Sequence, residues 1–475
     1  MKENLSLLAD FYEFTMANGF FAKNMNNKIA YFDVFFRRVP DEGGYVIFAG
    51  LEQVIEYIEN LHFNSSDIEF LKNTNKFSED FLNYLSNFKF TGDIWAVPEG
   101  TVVFPNEPLI TVRAPIIEAQ LLETMILLLI NHQSLIATKS SRIVGAAHGR
   151  PVMEFGARRA HSIDAAFLGA RAAMIGGCIG TSCTLTAKKF NVPALGTMAH
   201  SFVQSFDSEY EAFKAYAEVY PDDCTLLIDT YDTINSGLVN AIKVFNDVLI
   251  PRGFRPKGVR LDSGDLAYLS KKVRKILDEA GFPDCKICVS NSLDEFLISS
   301  LFDQGAQIDS FGVGENLITA KSDPVFGGVY KLVATEDNGK ITPKIKISEN
   351  VVKITNPGFK KTYRFYDKAT NKALADVITL SDEIIPEDNY KIFDPQNPWK
   401  EKTLTNYTVR ALQEQIFKDG KLVYTTPPLS QICKTANNEL ETLWQEIRRL
   451  KNPHKYYVDL SKKLWDLKNS LLKNN

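Results

Sequence analysis

The pattern of apolar and polar positions changes character twice along the chain. Up to about residue 115 it is mixed. YFDVFFRRV (31–39) alternates apolar and polar positions and is rich in aromatics, the period of a strand. Gly43-Gly44 marks a turn, Leu51 to Leu61 repeats at helical spacing, and Pro98, Pro105, Pro108 and Pro115 punctuate short strand-like pieces. These features predict a β-rich N-terminal domain over 1–115.

From 116 to 330 the pattern becomes regular. Glu118 to His148 reads as one long helix. Seven short apolar runs follow: VMEF (152–155), MIGGCI (174–179), ALGTM (194–198), LLID (226–229), GVRLD (258–262), KICVS (286–290) and IDSF (308–311). Each ends in a polar or Gly-rich motif, and helical stretches such as 205–219 and 265–280 fit between them. Strand, motif and helix repeating at this spacing predict parallel βα units, and seven in a row favour an irregular or incomplete α/β barrel over an open sheet. In such a fold the strand C-termini converge on one mouth, where the chemistry sits. Over 331–475 the pattern changes again. KLVATEDNGKITPKIKIS predicts a strand, a turn at Asp337-Asn338-Gly339 and a second strand. The segment from Asn437 onward is helical and studded with charges. We read 331–475 as a C-terminal α+β region packing on the N-terminal domain. No repeat at a fixed solenoid period is present.

Composition narrows the class. The chain has 475 residues, 45% hydrophobic and 24% charged, which fits two to four folded units and excludes a disordered or collagen-like chain. Net charge is −4, so no global basic field draws it to nucleic acid or anionic lipid. The most apolar run, Leu121 to Ile130, is shorter than the about 20 residues that span a bilayer, so it reads as a buried core helix. The N-terminus carries Glu3, Asp10 and Glu13 and no long apolar core, so no secretory signal is expected. Six cysteines in so long a chain do not make a disulfide framework, and Cys285-x-x-Cys288 has no second pair to complete a zinc site. A cytoplasmic protein is expected.

The residues after the seven runs suit an anionic, phosphorylated substrate with a metal. Gly312 and Gly314 would let backbone N–H groups approach a phosphate. Thr181 and Ser182 could add hydroxyl donors. Arg158 and Arg260 can each grip a carboxylate or phosphate in a bidentate fork. Asp229 and Asp262 are hard oxygen ligands suited to Mg²⁺. His200 would be the one imidazole at the mouth, able to act as base or nucleophile. Each residue also has a structural reading: the glycines can serve turns, Asp262 and Asp265 can cap the next helix, and Tyr12 and Phe155 can be core. The functional reading rests on coincidence, because nearly every strand end carries such a group.

Several long motifs resemble, in order, those of the nicotinate phosphoribosyltransferase family: ADFYEFTMANGFF (9–21), FDVFFRRVPDEGGYVIFAGLEQ (32–53), EFGARRAH (154–161), GTMAHSFV (196–203), LIDTYDT (227–233), GVRLDSGDL (258–266) and FGVGENLITAKSDPVFGGVYKLV (311–333). The resemblance covers about the first three quarters of the chain. It implies a type II phosphoribosyltransferase fold and a homodimer with active sites between subunits. It implies that nicotinate and phosphoribosyl pyrophosphate become nicotinate mononucleotide and pyrophosphate in NAD biosynthesis. ATP hydrolysis would be coupled through a phosphohistidine, at His200.

By the same resemblance, Tyr12 would stack on the pyridine ring from the neighbouring subunit and Phe155 on its other face. Arg158 would hold the carboxylate or a nearby phosphate, and Thr197 would lie beside the ring. Asp229 would orient His200 and sit near Mg²⁺, and Arg260 and Asp262 would bind phosphoribosyl pyrophosphate or its metal. Gly312 and Gly314 would cradle the 5′-phosphate. Glu315 is given no role, since a carboxylate cannot donate to phosphate. The alternatives are a nicotinamide or quinolinate phosphoribosyltransferase, or a phosphate-binding barrel lyase or isomerase. The last needs a strand-end Lys or Glu, and the seven motifs show no obvious Schiff-base Lys.

Overall fold

The alternating aromatic run does form a strand, Ile29–Phe35, and all but its first residue are buried. A computed structural model describes residues 4–350 and 353–473. The chain divides into two compact units, Met1–Leu135 with Val325–Asn475, and Ile136–Pro324. The sequence placed divisions near 115 and 330. The contacts group the region from Val325 onward with the N-terminal segment, with boundaries after Leu135 and Pro324.

The grouping has a backbone cause. In the first unit, Ile29–Phe35 pairs antiparallel with Ile110–Pro115 on one side and with Val329–Asp337 on the other. The far edge of the same seven-stranded sheet is Glu414–Lys418 and Lys421–Leu422, joined through Asp93–Ala96. N-terminal strands therefore sit in the middle and C-terminal strands at both ends. Side chains repeat the link: Arg113 reaches Asp93 (2.8 Å) and Glu336 (2.9 Å), and the buried Lys360 ammonium lies 2.8 Å from Asp33. A second, four-stranded sheet of Tyr407–Ala411, Lys360–Asp367, Ala373–Leu380 and Val458–Leu460 carries Arg364, which is fully buried.

The long helix is present with one break. Ile116–Gln120 ends at Leu121, and Glu123–Ala146 follows. By length and composition alone Ile116–Ala146 could cross a membrane, but 61% of its apolar window is buried inside the protein, as in a core helix.

The second unit is built on a parallel sheet ordered Val152–Glu154, Ser310–Val313, Lys286–Val289, Gly258–Leu261 and Thr225–Leu227. Two single bridges extend it in parallel, Glu154 to Thr181 and Thr181 to Ala194. Seven parallel positions thus stand side by side. Among the described residues no backbone pairing joins the Ala194 end to Thr225–Leu227.

Two of the predicted strands are not strands. MIGGCI begins inside the helix Ile163–Ile175, which Ser162 caps by accepting from Ala165 N and which stops at Gly176. Met174 and Ile175 are the buried last turn of that helix, while Ile179 lies beyond it and is exposed, and a short apolar run has no period that tells helix from strand. ALGTM contributes only the bridge at Ala194. The last run pairs over Ser310–Val313, not from 308. Helices fill the connections as the spacing predicted. Leu266–Glu279 is capped by Asp265, whose side chain accepts from Tyr268 N, and Glu209–Val219 is capped by Ser208.

Candidate active site

The C-terminal ends of the parallel strands surround a cavity of about 540 Å³, lined entirely by residues of the second unit. Nine of the twelve expected site residues line it: Phe155, Arg158, Ser182, Thr197, His200, Arg260, Asp262, Gly312 and Gly314. The geometric reason is the parallel sheet itself, which brings every strand end to the same edge.

Arg260 organises one wall. Its Nε donates to Ser290 Oγ (3.0 Å), Nη1 to Thr197 Oγ1 (3.1 Å) and Met198 O (3.2 Å), and Nη2 to Asp262 Oδ1 (3.2 Å). Ser290 Oγ in turn donates to Asp262 Oδ1. The fork therefore reaches from its own strand to the segment around Ala194, the side on which the sheet has no ladder. The guanidinium carbon lies 5.7 Å from the centroid of the Phe155 ring.

His200 starts the short helix His200–Gln204. Its Nδ1 meets Thr230 Oγ1 at 3.1 Å, and its Nε2 lies 3.6 Å from Asp262 Oδ2. The expectation that Asp229 orients His200 is thus replaced: Thr230 and Asp262 do so. Asp229 is buried behind the wall, where Oδ2 accepts from Asp262 N (2.8 Å) and Ser263 Oγ (2.5 Å). It shapes the Asp262–Ser263 turn.

Thr181 is likewise behind the wall and fully buried. Its hydroxyl donates to Glu154 Oε2 (2.6 Å) and accepts from Cys183 N (2.9 Å), so it has no donor left for a ligand. Tyr12 lies in the first unit, on the helix Phe11–Ala22, and is 44% exposed.

The two glycines have a packing cause beyond any role toward phosphate. A Cβ on Gly312 would stand 2.5 Å from Cδ2 of Phe155, and one on Gly314 would stand 3.2 Å from the Phe155 carbonyl oxygen. Both let the Phe155 segment lie against the end of Ser310–Val313.

The cavity holds further groups that the sequence motifs contained but that were not singled out. Arg159 stands beside Arg158 in a single turn, Ala157–Arg159, and both side chains are exposed at the cavity. Adjacent cations facing one hollow favour an anion there. Asn291 and Ser292 line the cavity with φ of 95° and 49°, and Asn316 Nδ2 pins this turn by donating to Ser292 O (2.8 Å) and Leu293 O (3.2 Å). Non-glycine residues in that region are strained and cluster at functional sites. The available signal was position after a strand, since neither residue carries charge. Glu315 also lines the cavity and pairs with Lys321 at 3.0 Å, which holds its carboxyl below the usual range.

Among the described residues no group of three His, Cys, Asp or Glu comes together to hold a metal. Asp262 faces the cavity, and Asp229 Oδ1 is buried without a hydrogen-bond partner. One or two carboxylates suit Mg²⁺, which keeps waters and takes its other ligands from substrate phosphates.

Known proteins place this arrangement. Residues 151–380 match the nicotinate phosphoribosyltransferase family, 7–131 its N-terminal domain and 359–468 its C-terminal domain. The chain is 47% identical over 467 residues to the nicotinate phosphoribosyltransferase of Bacillus subtilis, covering 98% of this chain and 95% of that one. It is 36% identical to that of Caenorhabditis elegans, over 99% and 93%. The crystal structure of human nicotinic acid phosphoribosyltransferase superposes with a TM-score of 0.85 at 28% identity, covering 98% of this chain and all of that one. With the motifs in order, the parallel sheet present and the arginines, histidine and aspartate on one cavity, this chain belongs to the nicotinate phosphoribosyltransferase family.

Proposed function

We propose that this cavity joins nicotinate to phosphoribosyl pyrophosphate, giving nicotinate mononucleotide and pyrophosphate, and that ATP hydrolysis is coupled to the reaction through phosphorylation of His200. The observation that carries this reading is the convergence of Arg158, His200, Arg260 and Asp262 on a single hollow. Sequence identity across nearly the whole chain to enzymes of this name supports it.

The pyridine nitrogen attacks ribose C1 as the bond from C1 to the pyrophosphate oxygen breaks, through an oxocarbenium-like transition state. The nitrogen brings its own lone pair, so no side chain must remove a proton. Catalysis is positioning and electrostatics. Phe155 offers the ring a stacking face, and Tyr12 of the partner subunit offers the other in a homodimer. Arg158 meets the carboxylate. Arg260 and Asp262 address the phosphoribosyl pyrophosphate, and Ser182, Thr197, Gly312 and Gly314 complete the walls. Asp262, with Asp229 behind it, would hold Mg²⁺, which neutralises charge on pyrophosphate oxygens when bound.

His200 is free for a separate task. The γ-phosphoryl group of ATP passes to the imidazole, ADP departs, and a dianion stands in the cavity until water removes it. The reading includes a cytoplasmic enzyme. The deciding experiment measures nicotinate mononucleotide formation with and without ATP, with nicotinamide and quinolinate as controls. Absence of product from nicotinate, or release of carbon dioxide from quinolinate, overturns it.

A further inference from the structure

One buried carboxylate stands just behind the Phe155–Arg158 wall of the cavity. Glu154 ends the strand Val152–Glu154 and is fully buried. Its Oε1 accepts from Gly156 N, and its Oε2 accepts from Thr181 Oγ1 at 2.6 Å. The backbone ties the same two turns: Glu154 N donates to Gly180 O (3.0 Å) and Ser182 N to Glu154 O (2.8 Å). The residues that follow are cavity walls, with Phe155 and Arg158 on one side and Ser182 on the other.

We propose that Glu154, acting through Thr181, is a positioning residue that fixes the spacing of Phe155 and Arg158 against Ser182, and so sets how the pyridine carboxylate is held. This rests on the assignment of that wall of the cavity to nicotinate. The hydrogen-bond chemistry requires an acceptor at both oxygens. Thr181 Oγ1 accepts from Cys183 N at 2.9 Å and donates its own hydrogen to Glu154 Oε2. Gly156 N can only donate. A glutamine has one acceptor and one donor end: with its oxygen on Gly156 N, its amide N–H can reach only the second lone pair of Thr181 Oγ1, which leaves the buried hydroxyl hydrogen without its acceptor. An unmade bond to a buried group is costly, so the turns separate. Burial pushes the Glu154 carboxyl up, and the Thr181 hydroxyl, the Gly156 N–H and the Arg158 charge oppose that push.

The test uses the full chain with E154Q, T181V, T181S and the E154Q/T181V pair. Nicotinate KM and kcat are measured, and nicotinate binding is followed by calorimetry, at a temperature where circular dichroism shows each variant folded. E154Q and T181V should each raise nicotinate KM and Kd about ten-fold and change kcat less than about three-fold, because a small misplacement weakens one contact set. T181S keeps the hydroxyl and should restore native values. The pair should lose no more than the worse single variant, since both break one link. If E154Q does not fold, T181V and T181S carry the test. Native Kd in the folded variants, or losses that add in the pair, would overturn the proposal while leaving the activity standing. A native chain that forms no product yet shows these Kd shifts overturns the activity and leaves the positioning role intact. A native chain that binds no nicotinate overturns both.

Discussion

His200 Nε2 and Asp262 Oδ2 face each other across 3.6 Å, with the far side of the imidazole against Thr230. Phosphorylating this imidazole sets a dianion beside a carboxylate that already shares Arg260. Under the proposed phosphorylation the cavity beside Asp262 would gain two negative charges in one event, enough to alter how an anionic substrate binds there.

His200→Ala should therefore abolish stimulation by ATP and leave weak ATP-independent synthesis. Initial rates with and without ATP check this. Full stimulation in the variant would remove His200 from the phosphoryl path.

Arg158 is exposed at the cavity, with Arg159 as its neighbour. A charge-assisted hydrogen bond to a carboxylate contributes about 1.5–3 kcal/mol, so Arg158→Ala should raise the nicotinate KM about 10- to 100-fold. The native enzyme should strongly prefer nicotinate to nicotinamide. Equal turnover of the two would end the arginine assignment.

Gly312→Ala places a methyl group 2.5 Å from Cδ2 and 2.6 Å from Cε2 of Phe155. The ring must move or the strand end must shift. The expected result is a nicotinate KM raised about ten-fold or more, by the same misplacement argument, in a chain that remains folded. Kinetics beside a melting curve decide it, and unaltered kinetics would show that the ring yields freely.

Glu13 is fully buried, and burial pushes its carboxyl from 4.5 to about 7 against the pull of Thr124 and the Asp10 N–H. The folded state thus favours the protonated acid more than the unfolded chain does. Stability from this site is complete below about pH 4.5 and is lost as pH rises through about 7, on the order of 3 kcal/mol in all. Glu13→Gln should remove that share of the decline between pH 5 and 8. Asp459 is also pushed to about 7 by burial, so part of the trend persists in the variant. Denaturation midpoints at both pH values are the check; parallel profiles for the two proteins would contradict it.

Arg364 donates to Asp376 (2.8 and 2.6 Å), Glu439 (2.8 Å) and Val102 O (2.8 Å) with no exposure. Near it, burial and the Asp376 charge push the Glu107 carboxyl well up. Arg364→Met strips Asp376 of its cation and weakens the charge balance around Glu439. Breaking such a buried pair typically costs about 3–5 kcal/mol. Urea denaturation should show a clearly lower midpoint; a native midpoint would mean that the buried acids are neutral.

Much of the site could be read before folding. Phe155, Arg158, His200, Arg260 and Asp262 stand at or just after the ends of apolar runs, and a parallel arrangement brings such positions to one edge whatever the detailed geometry. Other assignments needed coordinates. Asp229 and Thr181 occupy equivalent places after their runs, yet both turn inward to bind backbone and neighbouring turns. Ser290 and Thr230 had no charge to single them out, and each proved to hold a charged or titratable partner from another strand end. The run at 174–179 was misread because Met174 and Ile175 are buried in a helix as thoroughly as they would be in a strand.

The sequence by itself determined the order of strand, motif and helix, the family and the set of residue types at the mouth, because these follow from local periodicity and from side-chain chemistry. Tertiary structure alone decided which of those side chains meet a ligand and which brace the wall. A hydroxyl or carboxylate bonds to whatever lies within about 3 Å, and for Glu154 and Asp229 a partner in each case, Thr181 and Asp262, comes from a turn about thirty residues away in the chain.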